Sequence, residues 1–344
     1  MNTSILESVA AALAAPGKGI LAADESDGTI AKRFQAIGVE STEGNRRAYR
    51  ELLMTTESLN EGVSGVILFD ETIRQQAIDG RSFVEMLRDL GIHPGIKVDK
   101  GAKPLAGCPG EKVTEGLDGL RVRLAEYADI GATFTKWRAV ITMGDAMPTR
   151  ACLRANAHAL ARFAALSQEA GLVPIVEPEV LMDGPHTIEE HERATEAALR
   201  AVFAELREYG VSLEGMLLKP NMVLPGNECP VQVDARQVAE MTVRCMRRNV
   251  PAAVPGLMFL SGGQGDVEAT ENLNAMNRIE GNPWQLSFSF GRALQAPALQ
   301  AWAGDAENAS ATQNALRHRV RCNSAARFGR YSAEMEQAAS SQAC

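Results

Sequence analysis

Short apolar runs recur along this chain, and each ends in charged or small polar residues. In order they are GILAADES, GVILFDE, PGIKVDKG, ATFTKWRAV, LVPIVEPEV, GMLLKPNM, GLMFLSGG and WQLSFSFGRA. The stretches between them have helical periodicity and composition, most clearly at 115–130, 150–170 and 187–209. Such β-α alternation predicts a parallel sheet. About eight units of this kind close naturally into a barrel. The expected fold class is therefore α/β, a single-domain (β/α)8 TIM barrel. No Gly/Ser linker or shift in composition divides the chain, so one domain is expected over 1–326. It opens with an amphipathic helix in MNTSILESVAAALAAPGKG. The small, polar stretch 327–344 reads as a mobile tail.

Length and charge narrow the function. The chain has 344 residues, a net charge of -8 and a 45% apolar content. These values suit one globular barrel. No run approaches the roughly 18 apolar residues of a membrane helix. The N-terminus carries Glu7 and lacks the basic start of a secretory leader. The acidic balance argues against nucleic acid as a partner. Six cysteines (Cys108, Cys152, Cys229, Cys245, Cys322 and Cys344) include no CxxC pair and no zinc-like Cys/His spacing. They read as free thiols in a reducing cytoplasm. No metal and no cofactor is expected.

Barrels carry their chemistry at the C-terminal ends of the strands. Those ends supply Asp24, Lys97 with Asp99, Lys136 with Arg138, Glu177 with Glu179, Lys219, Ser261 and Arg292. Residues two apart on a strand share a face, so each pair points at one cavity. Lys219 ends the apolar part of LEGMLLKPNM. Burial there pushes an amine toward its neutral form, which is a nucleophile for carbonyl carbon. Lys136 nearby would favour that form, and the carboxylates would oppose it. The glycine-rich turn FLSGGQ offers backbone N–H groups to an anion. FSFGRA places Gly291 and Arg292 at the last strand end, where barrels often bind phosphate. Arg33, in AKRFQ, suits a second phosphate. Lys100 and Lys32 read as solvated. Trp137 should face away from the cavity that Lys136 and Arg138 face. The five histidines stand outside this constellation.

Further strings run in the same order: TEGNRRAYRELL, GIKVDKGAKPLAG, GLDGL, VPIVEPE, NLNAMN and FSFGRALQAPALQAW. Together with the runs above, from about Gly17 to Trp302, they resemble class I fructose-bisphosphate aldolase, the Schiff-base type. The resemblance implies a role for each matching residue. Lys219 would form the Schiff base. Glu177 would be the acid/base that dehydrates the carbinolamine and handles the C4 hydroxyl proton. Asp24 and Lys136 would orient and polarise the substrate, and Glu179 would support the charge network. Ser261, Gly262, Gly291 and Arg292 would hold one phosphate. Lys97 and Arg33 would sit near the other, with Arg138 lining that side. It further implies metal-free chemistry on a phosphorylated sugar by a cytoplasmic homotetramer.

The chain departs from the family in two places. Eukaryotic members end in a tyrosine that assists enamine protonation, whereas this chain ends in Cys344. Position 290 is Phe where the familiar form often has Tyr. Two other readings compete with the bisphosphate aldolase. One is a Schiff-base barrel acting on a sugar with one phosphate or none. The other is a non-catalytic binding protein on the same fold.

Overall fold

A computed structural model describes residues 3–340, with side chains described to 337. Eight strands form a closed barrel: β1 (Gly19–Ala23), β2 (Val63–Leu68), β3 (His93–Lys97), β4 (Phe134–Ile141), β5 (Val173–Val180), β6 (Leu217–Leu218), β7 (Gly256–Phe259) and β8 (Gln285–Phe290). Every neighbouring pair is parallel, and β8 closes on β1. The eight strands coincide with the eight apolar runs.

Alternation along the strands separates two cores. Ile20, Ala22, Ile67, Phe134, Val173, Ile175, Leu217 and Met258 pack together inside the barrel. Leu21, Val66, Leu68, Ile96, Trp137, Val176, Leu218 and Phe259 face outward into the layer of helices. Trp137 stacks on Phe163 of the helix Arg150–Glu169, away from the barrel mouth as its position between Lys136 and Arg138 requires. The N-terminal helix Thr3–Leu13 buries Leu6, Ala10 and Leu13, a spacing that makes one apolar face. That face joins the inner core, so the helix closes the N-terminal end of the barrel.

Local chemistry explains most element ends. Thr149 accepts a hydrogen bond from the Cys152 N–H and starts the helix Arg150–Glu169. Thr187 and Glu190 form a capping box at the start of Ile188–Glu208. One helix begins later than its periodicity predicts, at Leu120–Ile130 rather than near 115. Gly116 and Gly119 take φ of 128° and 67°, which the helix excludes, and the Glu115 N–H bonds to the Gly101 carbonyl. A two-stranded hairpin, Ala102–Pro104 with Lys112–Thr114, follows β3 and has no counterpart in the sequence reading. The described cysteines carry free thiols. Among the described residues, no helix is long and apolar enough to cross a membrane.

The segment after 326 is packed onto the barrel through its described side chains. Arg327 and Tyr331 are buried, and a further helix spans Glu334–Ser340. Cys344 lies outside the described residues.

Packing at the barrel floor is tight. A Cβ on Gly95 would sit 2.2 Å from the Phe134 ring. Gly95→Ala should therefore lower stability by about 1–3 kcal/mol through overpacking. The check is denaturant unfolding, with a lower midpoint and an unchanged slope. An unchanged midpoint would mean that Phe134 has room to move.

Candidate active site

The inward faces of the strands change character along their length. On β4, Phe134 is followed inward by Lys136 and Arg138. On β5, Val173 and Ile175 are followed by Glu177 and Glu179. On β6, Leu217 is followed by Lys219. The apolar members fill the floor, and the charged members meet at the C-terminal mouth. They line a cavity of about 990 Å³ together with Asp24, Arg33, Lys97, Ser261, Gly262, Gly291 and Arg292. All twelve residues named as candidates from the sequence line this one cavity.

Four ionisable groups occupy its centre, the buried Lys136, Glu177 and Lys219 and the largely covered Asp24. Lys136 Nζ lies 2.7 Å from Asp24 Oδ2 and 3.0 Å from Glu177 Oε2. Lys219 Nζ lies 3.3 Å from Glu177 Oε1. Glu177 is therefore shared by two amines, one on each carboxylate oxygen. The backbone fixes this arrangement, because the Lys219 N–H donates to the Val176 carbonyl beside Glu177 at 2.8 Å. Burial is costly for each charge alone, and only the mutual pairing offsets it.

The pairing is unequal, and the proton affinities follow. Burial acts most strongly on the Lys219 amine and pushes it below the usual lysine range. Glu177 opposes that shift, and Lys136 reinforces it. Lys136 goes the other way. Burial lowers its affinity, but Asp24 and Glu177 more than compensate and hold it above the ordinary value. Burial pulls Asp24 and Glu177 upward, yet Lys136 and Lys219 keep both carboxyls below their normal range. Two amines with opposite shifts in one cavity separate a lasting cation from an amine able to lose its proton.

Paired charges flank this centre. Lys97 Nζ bonds to Asp99 Oδ1 at 2.6 Å and to the Asp99 carbonyl at 2.9 Å. The Arg138 Nε donates to Glu179; burial lowers the proton affinity of its guanidinium, but Glu179 and Glu177 more than offset that and leave it raised. Arg33 pairs with Glu25. Its Nη2 also lies 3.7 Å from where a Gly291 Cβ would stand, so Arg33 reaches the β8 rim. The sequence reading had grouped it with Lys97, on β3. At the β7 and β8 ends, Ser261 is buried and Gly262 takes φ of 57°. Arg292 opens the helix Arg292–Trp302 and donates to the Gly262 carbonyl at 2.6 Å. A helix N-terminus, glycine backbone and an arginine together favour an anion.

Sequence reasoning missed the support beneath Arg33. Glu25 is buried, accepts from Gln295 Nε2 at 2.8 Å, and its backbone carbonyl accepts from the fully buried Arg50 at 2.8 Å. Glu25 adjoins Asp24 in AADES, which was the available signal. It lies past the end of β1, where strand alternation no longer guides the reading.

A barrel mouth with a buried amine, a shared acid and a cationic rim fits lysine-centred chemistry on a phosphorylated carbonyl compound. Comparison with known proteins agrees. The family model "Fructose-bisphosphate aldolase class-I" matches residues 5–344. "Probable fructose-bisphosphate aldolase class 1" of Xylella fastidiosa (strain 9a5c) is 55% identical over 332 residues, covering 96% of this chain and 99% of the relative. "Fructose-bisphosphate aldolase 4, cytosolic" of Arabidopsis thaliana is 51% identical, over 95% of this chain and 84% of the relative. A solved structure of fructose-bisphosphate aldolase from Plasmodium falciparum, in complex with TRAP and a small-molecule inhibitor, superposes with a TM-score of 0.95. It is 48% identical and covers 96% of each chain. The chain belongs to the class-I fructose-bisphosphate aldolase family, whose members act in glycolysis.

The lowered Lys219 affinity has a thermodynamic signature. Between the folded and unfolded values of this lysine, the unfolded chain holds a proton that the folded chain has released. Stability therefore rises with pH across that window. Wild-type protein should gain stability relative to Lys219→Met as pH rises from neutral toward about 10, the unfolded lysine value. Denaturation midpoints of the two proteins across that range are the measurement. Parallel curves would show that Lys219 is not shifted.

Proposed function

We propose that this enzyme cleaves fructose 1,6-bisphosphate reversibly, through a Schiff base on Lys219, to dihydroxyacetone phosphate and glyceraldehyde 3-phosphate. The observation that carries this reading is the shared carboxylate, with Glu177 3.3 Å from the Lys219 amine and 3.0 Å from Lys136. Neutral Lys219 attacks the C2 ketone to give a carbinolamine. Glu177, having taken the proton that the Lys219 ammonium gave up, returns it to the carbinolamine hydroxyl, which leaves as water, and an iminium remains. Glu177 then takes the C4 hydroxyl proton. The C3–C4 bond breaks, its electron pair moves into the iminium, and the aldehyde half departs. Protonation of the enamine at C3 and hydrolysis release dihydroxyacetone phosphate and free Lys219. Asp24 and Lys136 orient the hydroxyls of the C2–C4 segment. Glu179 holds Arg138 in place.

Ser261, Gly262, Gly291 and Arg292 bind one phosphate, and Lys97 answers the other, with Arg138 beside it. Arg33 stands next to Gly291, so its charge also serves the first site. The same reaction run as condensation serves gluconeogenesis. We further propose a cytoplasmic homotetramer, in line with the family and with the cytosolic Arabidopsis relative.

Borohydride reduction in the presence of dihydroxyacetone phosphate should leave one stable adduct, located on Lys219 by peptide mass mapping. An adduct on another lysine would overturn the assignment. Glu177→Gln should lower kcat by about 10²–10⁴-fold. The phosphate assignments separate by substrate. Lys97→Ala should raise KM for fructose 1,6-bisphosphate much more than for fructose 1-phosphate, whereas Arg33→Ala should weaken both. Equal effects of Lys97→Ala on the two substrates would favour an enzyme for sugars with a single phosphate.

A further inference from the structure

Away from the barrel mouth, three metal-ligating side chains of different kinds converge on one point. His318 and Cys322 lie one turn apart on the helix Ala309–Ala326, and Glu336 reaches them from the helix Glu334–Ser340. One donor atom from each lies within 4.8 Å of the other two. Cys322 Sγ is 3.5 Å from His318 Nε2, and His318 Nε2 is 3.0 Å from Glu336 Oε2. The aldolase chemistry uses none of them. We propose that His318, Cys322 and Glu336 form a binding site for a zinc-class divalent transition-metal ion, which fastens the C-terminal helix to the body of the protein.

The sequence showed no zinc-like Cys/His spacing, but His318 and Cys322, four apart on one helix, meet Glu336 in space, and their spacing matches the coordination geometry. A tetrahedral ion with bonds of about 2.3 Å to sulfur and 2.0 Å to nitrogen holds those atoms about 3.5 Å apart. Its nitrogen and carboxylate oxygen lie about 3.3 Å apart, so the observed gap opens by a few tenths of an ångström. The donor set of thiolate, imidazole and carboxylate suits zinc and cobalt and excludes calcium and magnesium, which take oxygen. Three protein donors leave one place for solvent.

The surroundings hold the carboxylate in position. Arg319 Nη1 donates to Glu336 Oε1 at 2.6 Å and to Oε2 at 2.7 Å, and the Tyr331 hydroxyl donates to Oε1 at 2.8 Å. Oε1 keeps both partners when Oε2 turns to the ion, and such outer contacts tune ligand orientation. The positive charge of Arg319 opposes the ion, and two anionic ligands offset it. Cys322 is fully buried. A thiol must give up its proton to bind such an ion, so affinity rises with pH.

The test is a Co²⁺ titration of full-length protein carrying Cys108→Ser and Cys344→Ser, which removes the partly exposed thiol and the terminal one. The expected result is one equivalent bound, with a thiolate-to-cobalt charge-transfer band and release of about one proton near neutral pH. Zn²⁺ should displace the cobalt and bleach the band. Cys322→Ser should abolish the band. His318→Ala and Glu336→Gln should each weaken binding by at least about tenfold. Circular dichroism and the melting transition of each variant show that the barrel is intact. No band in the parent protein, a band that survives Cys322→Ser, or affinity indifferent to both His318→Ala and Glu336→Gln would overturn the site.

Discussion

The contact on which the site depends is the pairing of one carboxylate, Glu177, with two amines. Lys136 and Lys219 are equally buried, and in isolation each would be driven toward neutrality. What separates them is the distribution of negative charge. Lys136 has two carboxylates, at 2.7 and 3.0 Å, and Lys219 has one, at 3.3 Å. The cavity is balanced with both protonated, but the Lys219 proton is the one held less tightly. Its loss leaves Lys136 bridging Asp24 and Glu177, with no orphaned charge on either amine. An amine able to lose its proton thus arises from an unequal partition of two carboxylates.

The same accounting ranks the cations at the rim. Lys97 is engaged with Asp99, Arg138 with Glu179 and Arg33 with Glu25. Arg292 pairs with no carboxylate among the described residues and donates to a backbone carbonyl. An anion at Arg292 would meet no competition from a fixed carboxylate. At Lys97 it must share the ammonium with Asp99, at greater cost. The β7–β8 rim therefore offers the cation least encumbered by carboxylates, and the β3–β4 side offers cations already paired.

Much of this was legible in the chain. Period-two alternation on FTKWRAV and VPIVEPE placed Lys136, Arg138, Glu177 and Glu179 on one face, and all four line the cavity. Alternation works there because β4 and β5 are long and regular. It fails where the strand has ended, which is why Glu25 escaped notice. The late start of the helix at Leu120 and the hairpin after β3 share one cause. Glycine backbone and long-range N–H···O bonds decide 99–119, and neither leaves a periodic trace. The described part of the segment after 326 looked too polar to pack. Its anchoring is itself polar, through Arg319, Tyr331 and Glu336.

Two prolines lie where the regular ladder ends beside the Lys219 amine. Pro178 lies inside a central strand, where a missing N–H should break a ladder. In a parallel strand, alternate residues turn their backbone groups to the same neighbour. Val176 and Val180 both bond toward β6, through the Lys219 N–H and the Asn221 side chain, so Pro178 faces that neighbour too. There β6 has stopped, because its ladder ends at Leu218 and Pro220 follows Lys219. Pro220 turns its backbone the other way, where its carbonyl accepts from the Leu260 N–H at 3.0 Å, so it too strands no donor. The Asn221 side chain restores the bond one step further along. The regular β5–β6 ladder thus ends at the level of Glu177 and Lys219, and Pro178, having no N–H, leaves no donor unpaired there. Sequence and chemistry meet at this point, since the residues that end β6 also set the depth at which the lysine is held.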